Sequence, residues 1–183
     1  MMNQYPIAPE LTVSHWLNTD TPLRIRELKG KVVVLHTFQM LCPGCVSYGL
    51  PQAAKLAHFF QQEDVVVIGL HTVFEHHQAM QLESLKAFIH EYRLSFPIAV
   101  DAPSDNSIPI TMSDYQLSGT PCLVLIDKFG KLRFTHHGSI EDMLLSKLVS
   151  SLLFETSPAN DRVDLDREPS QSNYPDNTKC SAY

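Results

Sequence analysis

The sequence contains no apolar run approaching the ~18 residues that a membrane-crossing helix needs, so no such helix is expected. It also lacks a basic cluster. Its 14 lysines and arginines stand against 20 acidic residues, a formal net charge of −6. That balance excludes the electrostatic footprint of a nucleic-acid partner and argues against docking on anionic lipid. The opening residues, Met1-Met2-Asn3-Gln4-Tyr5-Pro6, have no basic stretch followed by an apolar run. No secretory leader is read there, and the expectation is a cytoplasmic protein. Cysteines number four in 183 residues, too few for a disulfide scaffold. No second Cys-x-x-Cys exists to complete a zinc site, so neither a metal nor another cofactor is expected. Internal repeats and coiled-coil heptads are absent too.

What is present suits one globular domain: 44% hydrophobic and 19% charged residues, enough apolar material for a core without metal or disulfide staples. Residues 6–28 are short and broken, with turn residues at Asn18-Thr19-Asp20-Thr21-Pro22, and suggest an N-terminal β-hairpin. Val32 to Leu35 and Val65 to Leu70 are continuous apolar runs, the mark of strands buried on both faces. Residues 43–62 read as a helix with Val46, Leu50, Ala53, Ala57 and Phe60 on one face, kinked at Pro51. A second helix is expected over 78–92, with Leu82, Leu85, Ile89 and Tyr92 aligned. Phe96 to Val100 reads as a short strand before a loop at 101–110 rich in Pro, Asp and Ser. Cys122 to Ile126 and Lys131 to Phe134 predict a hairpin around Asp127-Lys128-Phe129-Gly130. Ser139-Ile140-Glu141-Asp142 is a capping-box variant opening a last helix, with Ile140, Leu144, Leu148 and Leu152 in line. The alternation predicts an α/β domain over residues 1–154, a central mixed sheet flanked by helices. From 155 to 183 the chain turns polar and acidic, and this tail, with Cys180, is expected to be disordered.

The chemistry concentrates at Cys42-Pro43-Gly44-Cys45, where a buried strand gives way to a helix. A helix start presents unpaired N–H groups and a partial positive charge, which favour a thiolate at Cys42. The thiolate is the attacking species in disulfide exchange. Cys45, one turn in, is placed to resolve the mixed disulfide. Pro43 suits the first turn because its missing N–H has no partner there anyway. His36, ending the preceding strand, is a candidate acceptor for the Cys45 proton, since imidazole titrates nearest neutrality. His71 ends the next strand and begins a His- and Glu-containing loop, His71 to His77. Strand ends on that side of an open sheet line the ligand crevice, which makes His71 a candidate substrate contact. Cys122 reads as a small buried hydrophobe, with a third redox thiol as the alternative.

Gly30-Lys31-Val32-Val33-Val34-Leu35-His36 leading into the Cys pair, and Gly119-Thr120-Pro121 before Leu123-Val124-Leu125-Ile126-Asp127, resemble the thioredoxin-like redoxins. The likeness is to the TlpA/ResA thiol-disulfide oxidoreductases within the superfamily related to AhpC/TSA, and it spans roughly residues 6–154. It implies a thioredoxin fold in which Pro121 is a cis-proline facing the cysteines. Thr120 would offer its backbone to an extended peptide, with Pro43 and Gly44 also touching substrate. It implies protein disulfides as substrates, with an electron-donating thiol system such as a thioredoxin reductase or glutathione as partner. Three positions depart from the family pattern. Leu41 replaces a tryptophan before the first cysteine, His36 an Asp or Asn six residues before it, and Tyr48 a glutamate in the first helix. The sister peroxiredoxins carry a threonine hydroxyl three residues before their cysteine; here that residue is Gln39. A peroxidase using Cys42, or a non-catalytic peptide-binding module, are the alternatives to a disulfide reductase.

Overall fold

The apolar runs lie side by side at the centre of one sheet. In the computed structural model, which describes residues 5–60, 63–105 and 107–156, β2 (Val32–Phe38) pairs in parallel with β3 (Val65–His71) and antiparallel with β5 (Cys122–Ile126). β2 and β5 are buried at every position, as strands covered on both faces must be. β4 (Ile98–Asp101) adds in parallel to β3, and β6 (Leu132–His137) antiparallel to β5. β1 (Val13–Leu17) runs antiparallel to β4 and completes the order β1-β4-β3-β2-β5-β6.

Side chains alternate across the sheet. Val32, Val34, Phe38, Leu123 and Leu125 meet Leu50 of α1 (Leu50–Phe59), Leu85 of α2 (Leu82–Glu91) and Leu145 of α4 (Asp142–Phe154). Val33, Leu35, Val124 and Ile126 face the other way, onto Met112 of α3 (Ile110–Asp114), Tyr115 and Ile25. Because β5 opposes β2, the C-terminal end of β2 lies against the N-terminal end of β5, with Thr37 opposite Cys122. β3 ends beside them, with His71 opposite Phe38. That shared edge carries the cysteine loop and the turn before β5.

The N-terminal segment is not a hairpin. β1 pairs with β4 instead of a neighbour in sequence, and Ile7 bridges Lys131. The turn at Asn18 (φ +58°) ends the strand, and its side-chain amide donates to the carbonyls of Leu94 and Phe96. The edge of β4 has unpaired backbone groups to satisfy, and β1 satisfies them at long range. The expected loop at 101–110 runs into α3. There the Asp101 carboxylate accepts the N–H groups of Thr111 and Met112, capping a helix too short to show a periodic pattern. In α4 no side-chain cap forms at Glu141, and the buried stripe is Leu145, Leu148, Val149 and Leu152, with Leu144 at the surface. α2 is shorter than expected, and Tyr92 lies outside the stripe, stacked on Phe88 at 4.3 Å. The β5–β6 hairpin forms as read, with Asp127 accepting from the N–H groups of Phe129 and Lys131 around Gly130 (φ +78°). Cys180 and the tail beyond residue 156 lie outside the described residues.

Candidate active site

Cys42 follows β2 after a three-residue turn closed by its N–H on the Gln39 carbonyl, 3.2 Å away. Its own carbonyl accepts from Val46, so the helix starts at this residue. The Cys42 sulfur is half-buried, and that of Cys45 is fully enclosed. The two Sγ atoms are 2.6 Å apart, with the Cys45 thiol aimed at Cys42. The Cys45 N–H also points at Cys42 Sγ, at 3.2 Å, a donor suited to a thiolate. Burial, and then the hydrogen bond to Cys42, pushes the Cys45 thiol up to about 12. The pair is therefore unequal: one sulfur is half-buried over the Cys45 N–H, and the other is held as a thiol beneath it.

The sequence predicts a helix kinked at Pro51. The structure instead has a π-helical turn, Cys45–Gly49, running directly into α1. The Leu50 N–H donates to the Cys45 carbonyl, one residue further back than in an α-helix, and Pro51 falls in the first turn of α1, where it needs no donor. The extra residue rotates the helix. Cys45, Gly49, Leu50, Ala53 and Leu56 point inward, while Val46, Ala57 and Phe60 are only partly covered. α1 ends at Phe59, with Phe60 extended.

The Thr120–Pro121 peptide is cis and stands across from the cysteines. The Thr120 carbonyl lies 3.4 Å from Cys42 Sγ. A Cβ on Gly44 would lie 3.3 Å from Pro121 Cδ, so the helix start and this turn touch through the glycine. The turn is anchored on three sides. Thr37 Oγ1 accepts from the Cys122 N–H at 3.0 Å, the Gly138 N–H donates to the Pro121 carbonyl at 2.9 Å, and the Ser118 N–H donates to His137 Nε2 at 3.3 Å. Pro43, Leu41 and Tyr48 are exposed around the Cys42 sulfur loop.

His36 lies beneath this assembly, 2% exposed, on the face of β2 that carries Val34 and Phe38. A Cβ on Gly49 would fall 2.5 Å from His36 Cε1 and 3.3 Å from Pro121 Cβ. Only glycine lets the helix close over the imidazole. Sequence reasoning missed Gly49, because its need arises from the π-turn. Burial lowers His36 to about 4, and its Nδ1 has no partner among the described residues.

Two candidates stand elsewhere. His71 does not line a crevice: it is 1% exposed, its ring 5.2 Å from that of Phe38, and neither ring nitrogen has a partner among the described residues. Strand alternation turns it into the core, and burial lowers it to about 4. Cys122 is fully buried on the opposite sheet face from Cys45, among Leu35, Leu70 and Tyr115. Burial pushes its thiol up to about 11, surroundings that disfavour the reactive thiolate. Gln39 is buried, its amide 3.4 Å from Glu75 Oε1. Among the described residues no cluster of three or more His, Cys, Asp or Glu converges as a metal site.

The family model described as the AhpC/TSA family matches residues 7–135. The crystal structure of a thioredoxin-like superfamily protein is 52% identical, covers 83% of this chain and 99% of its own, and superposes with a TM-score of 0.81. A thiol-disulfide isomerase from Corynebacterium glutamicum is 47% identical, covers 85% of this chain and 100% of its own, and has a TM-score of 0.80. The fold is thus the thioredoxin fold. Among curated proteins, NHL repeat-containing protein 2 of Gallus gallus is 31% identical over 131 residues, 70% of this chain. The match spans only 17% of that protein's length.

Proposed function

The chain belongs to the AhpC/TSA family, and on that premise we propose that it is a thiol-disulfide oxidoreductase that reduces protein disulfides through Cys42 and Cys45. The observation that carries the reading is the pair of sulfurs 2.6 Å apart at a helix start, facing the cis Thr120–Pro121 peptide. The Cys42 thiolate attacks one sulfur of a substrate disulfide, and the other leaves as a thiolate. Cys45 then gives up its proton and attacks Cys42 Sγ, closing the protein disulfide and releasing the second substrate thiolate. Two electrons pass from the protein dithiol to the substrate, and two protons complete its thiols.

His36 is the candidate acceptor for the Cys45 proton. Burial favours the thiol at Cys45 and the neutral ring at His36, so full transfer between the resting groups is disfavoured. The proton moves only as the Cys45 sulfur begins to bond to Cys42. The imidazolium that forms then attracts the developing thiolate.

What stabilises the reduced pair supports the reducing direction. A strong oxidant of this fold owes its potential to a stabilised reduced form. Here the Pro43-Gly44 dipeptide adds no charge or side-chain donor, and Cys45 is held as a desolvated thiol. The couple is expected well below about −200 mV, near the cytosolic glutathione poise, with a thiol system such as a thioredoxin reductase or glutathione as donor. Equilibration against a glutathione series measures it. A potential near about −120 mV would reverse the direction.

A further inference from the structure

Beside Gly49, whose missing Cβ would meet Pro121, a pocket of about 360 Å³ opens between the first turns of the helix and the β6–α4 loop. It is walled by Tyr48, Gln52 and Lys55 on one side and by Gly138 to Asp142 on the other, with His36 among its lining residues. Its walls belong to the site: Gly138 holds the Pro121 carbonyl, and Gly49 packs against both Pro121 and His36. The cation in the pocket is already used. Lys55 Nζ sits 2.8 Å from Asp142 Oδ2, while Gln52 donates to Asp142 Oδ1 at 2.7 Å. Those two bonds hold Asp142 below the usual carboxylate range. Glu141, exposed on the same rim, has no side-chain partner among the described residues. Two carboxylates against one lysine leave the rim negative. In the wall, the buried His36 Nδ1 stands without a partner.

We propose that this pocket receives the lysine or arginine side chain of a substrate next to its disulfide, so that the protein selects disulfides flanked by basic residues. The inference rests on the thiol-disulfide reading above. An extended peptide running along Thr120–Pro121 with its cysteine at Cys42 carries a neighbouring side chain past Pro121 and into the pocket. Glu141 supplies the unpaired charge at the rim. An anionic residue at that position meets the same carboxylates unfavourably.

The test uses short extended peptides whose single cysteine is a mixed disulfide with thionitrobenzoate, differing only in carrying Lys, Met or Glu beside it. Mixed with the reduced protein, the Lys peptide should release the chromophore about fivefold faster than the Met peptide, equivalent to ~1 kcal/mol, and the Glu peptide should be slower still. Glu141→Gln should abolish the Lys preference. Asp114→Asn, an exposed acid on α3 across the sheet, should keep it. If the preference survives Glu141→Gln, or fades equally in Asp114→Asn, the net charge selects and the pocket does not. Binding is read separately by NMR in Cys42→Ser/Cys45→Ser with serine versions of the peptides. Lysine-selective shifts at Gly138 and Lys55 with no reduction by the unaltered protein keep the pocket and sink the oxidoreductase reading. Reduction with no lysine preference sinks the pocket alone.

Discussion

Cys42 and Cys45 differ by their surroundings, and the difference supports the roles proposed for them. Cys42 Sγ is half-buried over the Cys45 N–H, while Cys45 is enclosed and protonated. Cys45→Ser should therefore accumulate a mixed disulfide on Cys42, visible by mass spectrometry after exposure to a disulfide peptide. Cys42→Ser should trap little. Cys122 lies on the other face of the sheet, so the Cys45→Ser adduct should persist whether or not Cys122 is also replaced. Accumulation only in Cys45→Ser/Cys122→Ser would contradict that placement. The buried histidines set a pH dependence. His36 and His71 are lowered from 6.5 to about 4 by burial, so between those values the unfolded chain binds protons the folded chain refuses. Their contribution is complete above about pH 6.5 and lost as pH falls toward 4, on the order of 3 kcal/mol for each. Melting temperatures should drop through that window, and His71→Leu should remove about half of the drop. An equal drop in the variant would mean that His71 is not refused its proton.

At the scale of elements, the π-turn Cys45–Gly49 is the feature on which the site depends. It inserts one residue between the resolving cysteine and α1, which brings Gly49 rather than a side chain over His36 and Pro121. A methyl there meets the edge of an almost wholly buried ring, so neither helix nor imidazole yields cheaply. Gly49→Ala should cost roughly 1–3 kcal/mol by overpacking. It should also slow disulfide reduction, because the imidazole and the cis peptide are displaced together. Urea denaturation and steady-state reduction of a peptide disulfide check the two effects. A variant that loses stability but keeps full activity would separate the turn from the chemistry.

Across the whole molecule, the sheet edge opposite β1 is tied to both ends of the described chain by one buried cation. Arg133 on β6 lies 3.0 Å from Asp127 Oδ2 in the β5–β6 turn. It also pairs with both carboxylate oxygens of Glu155, just past α4, and stacks 4.4 Å over the ring of Tyr5. Arg133 and Asp127 are almost wholly buried, so removing the cation strands a charge in the interior. Arg133→Met should cost about 3–5 kcal/mol in urea denaturation. Asp127→Asn/Arg133→Met should regain part of that, since the charge at Asp127, the more deeply buried of the two carboxylates, is gone while Glu155 still lacks its partner. Equal losses in the two variants would mean that the pair is not coupled.

The apolar runs by themselves determined the central strands, and the Cys-x-x-Cys between strand and helix determined where chemistry would sit. Those signals are local: a strand buried on both faces needs a continuous apolar run, and a helix start is marked by its own residues. Whatever depends on a partner distant in sequence was left to the tertiary structure. β1 finds β4 instead of a hairpin mate because an open sheet edge offers unpaired backbone groups. His71 looks like a crevice residue from its strand end, yet the pleat turns it onto Phe38. Cys122 is beside Pro121 in sequence, but alternation along β5 places its sulfur on the far face of the sheet. Gly49 and Gln52 carry no motif at all. They enter the site only because one extra residue in a helical turn rotates the chain over His36, and periodicity read from a sequence assumes that the turn is regular.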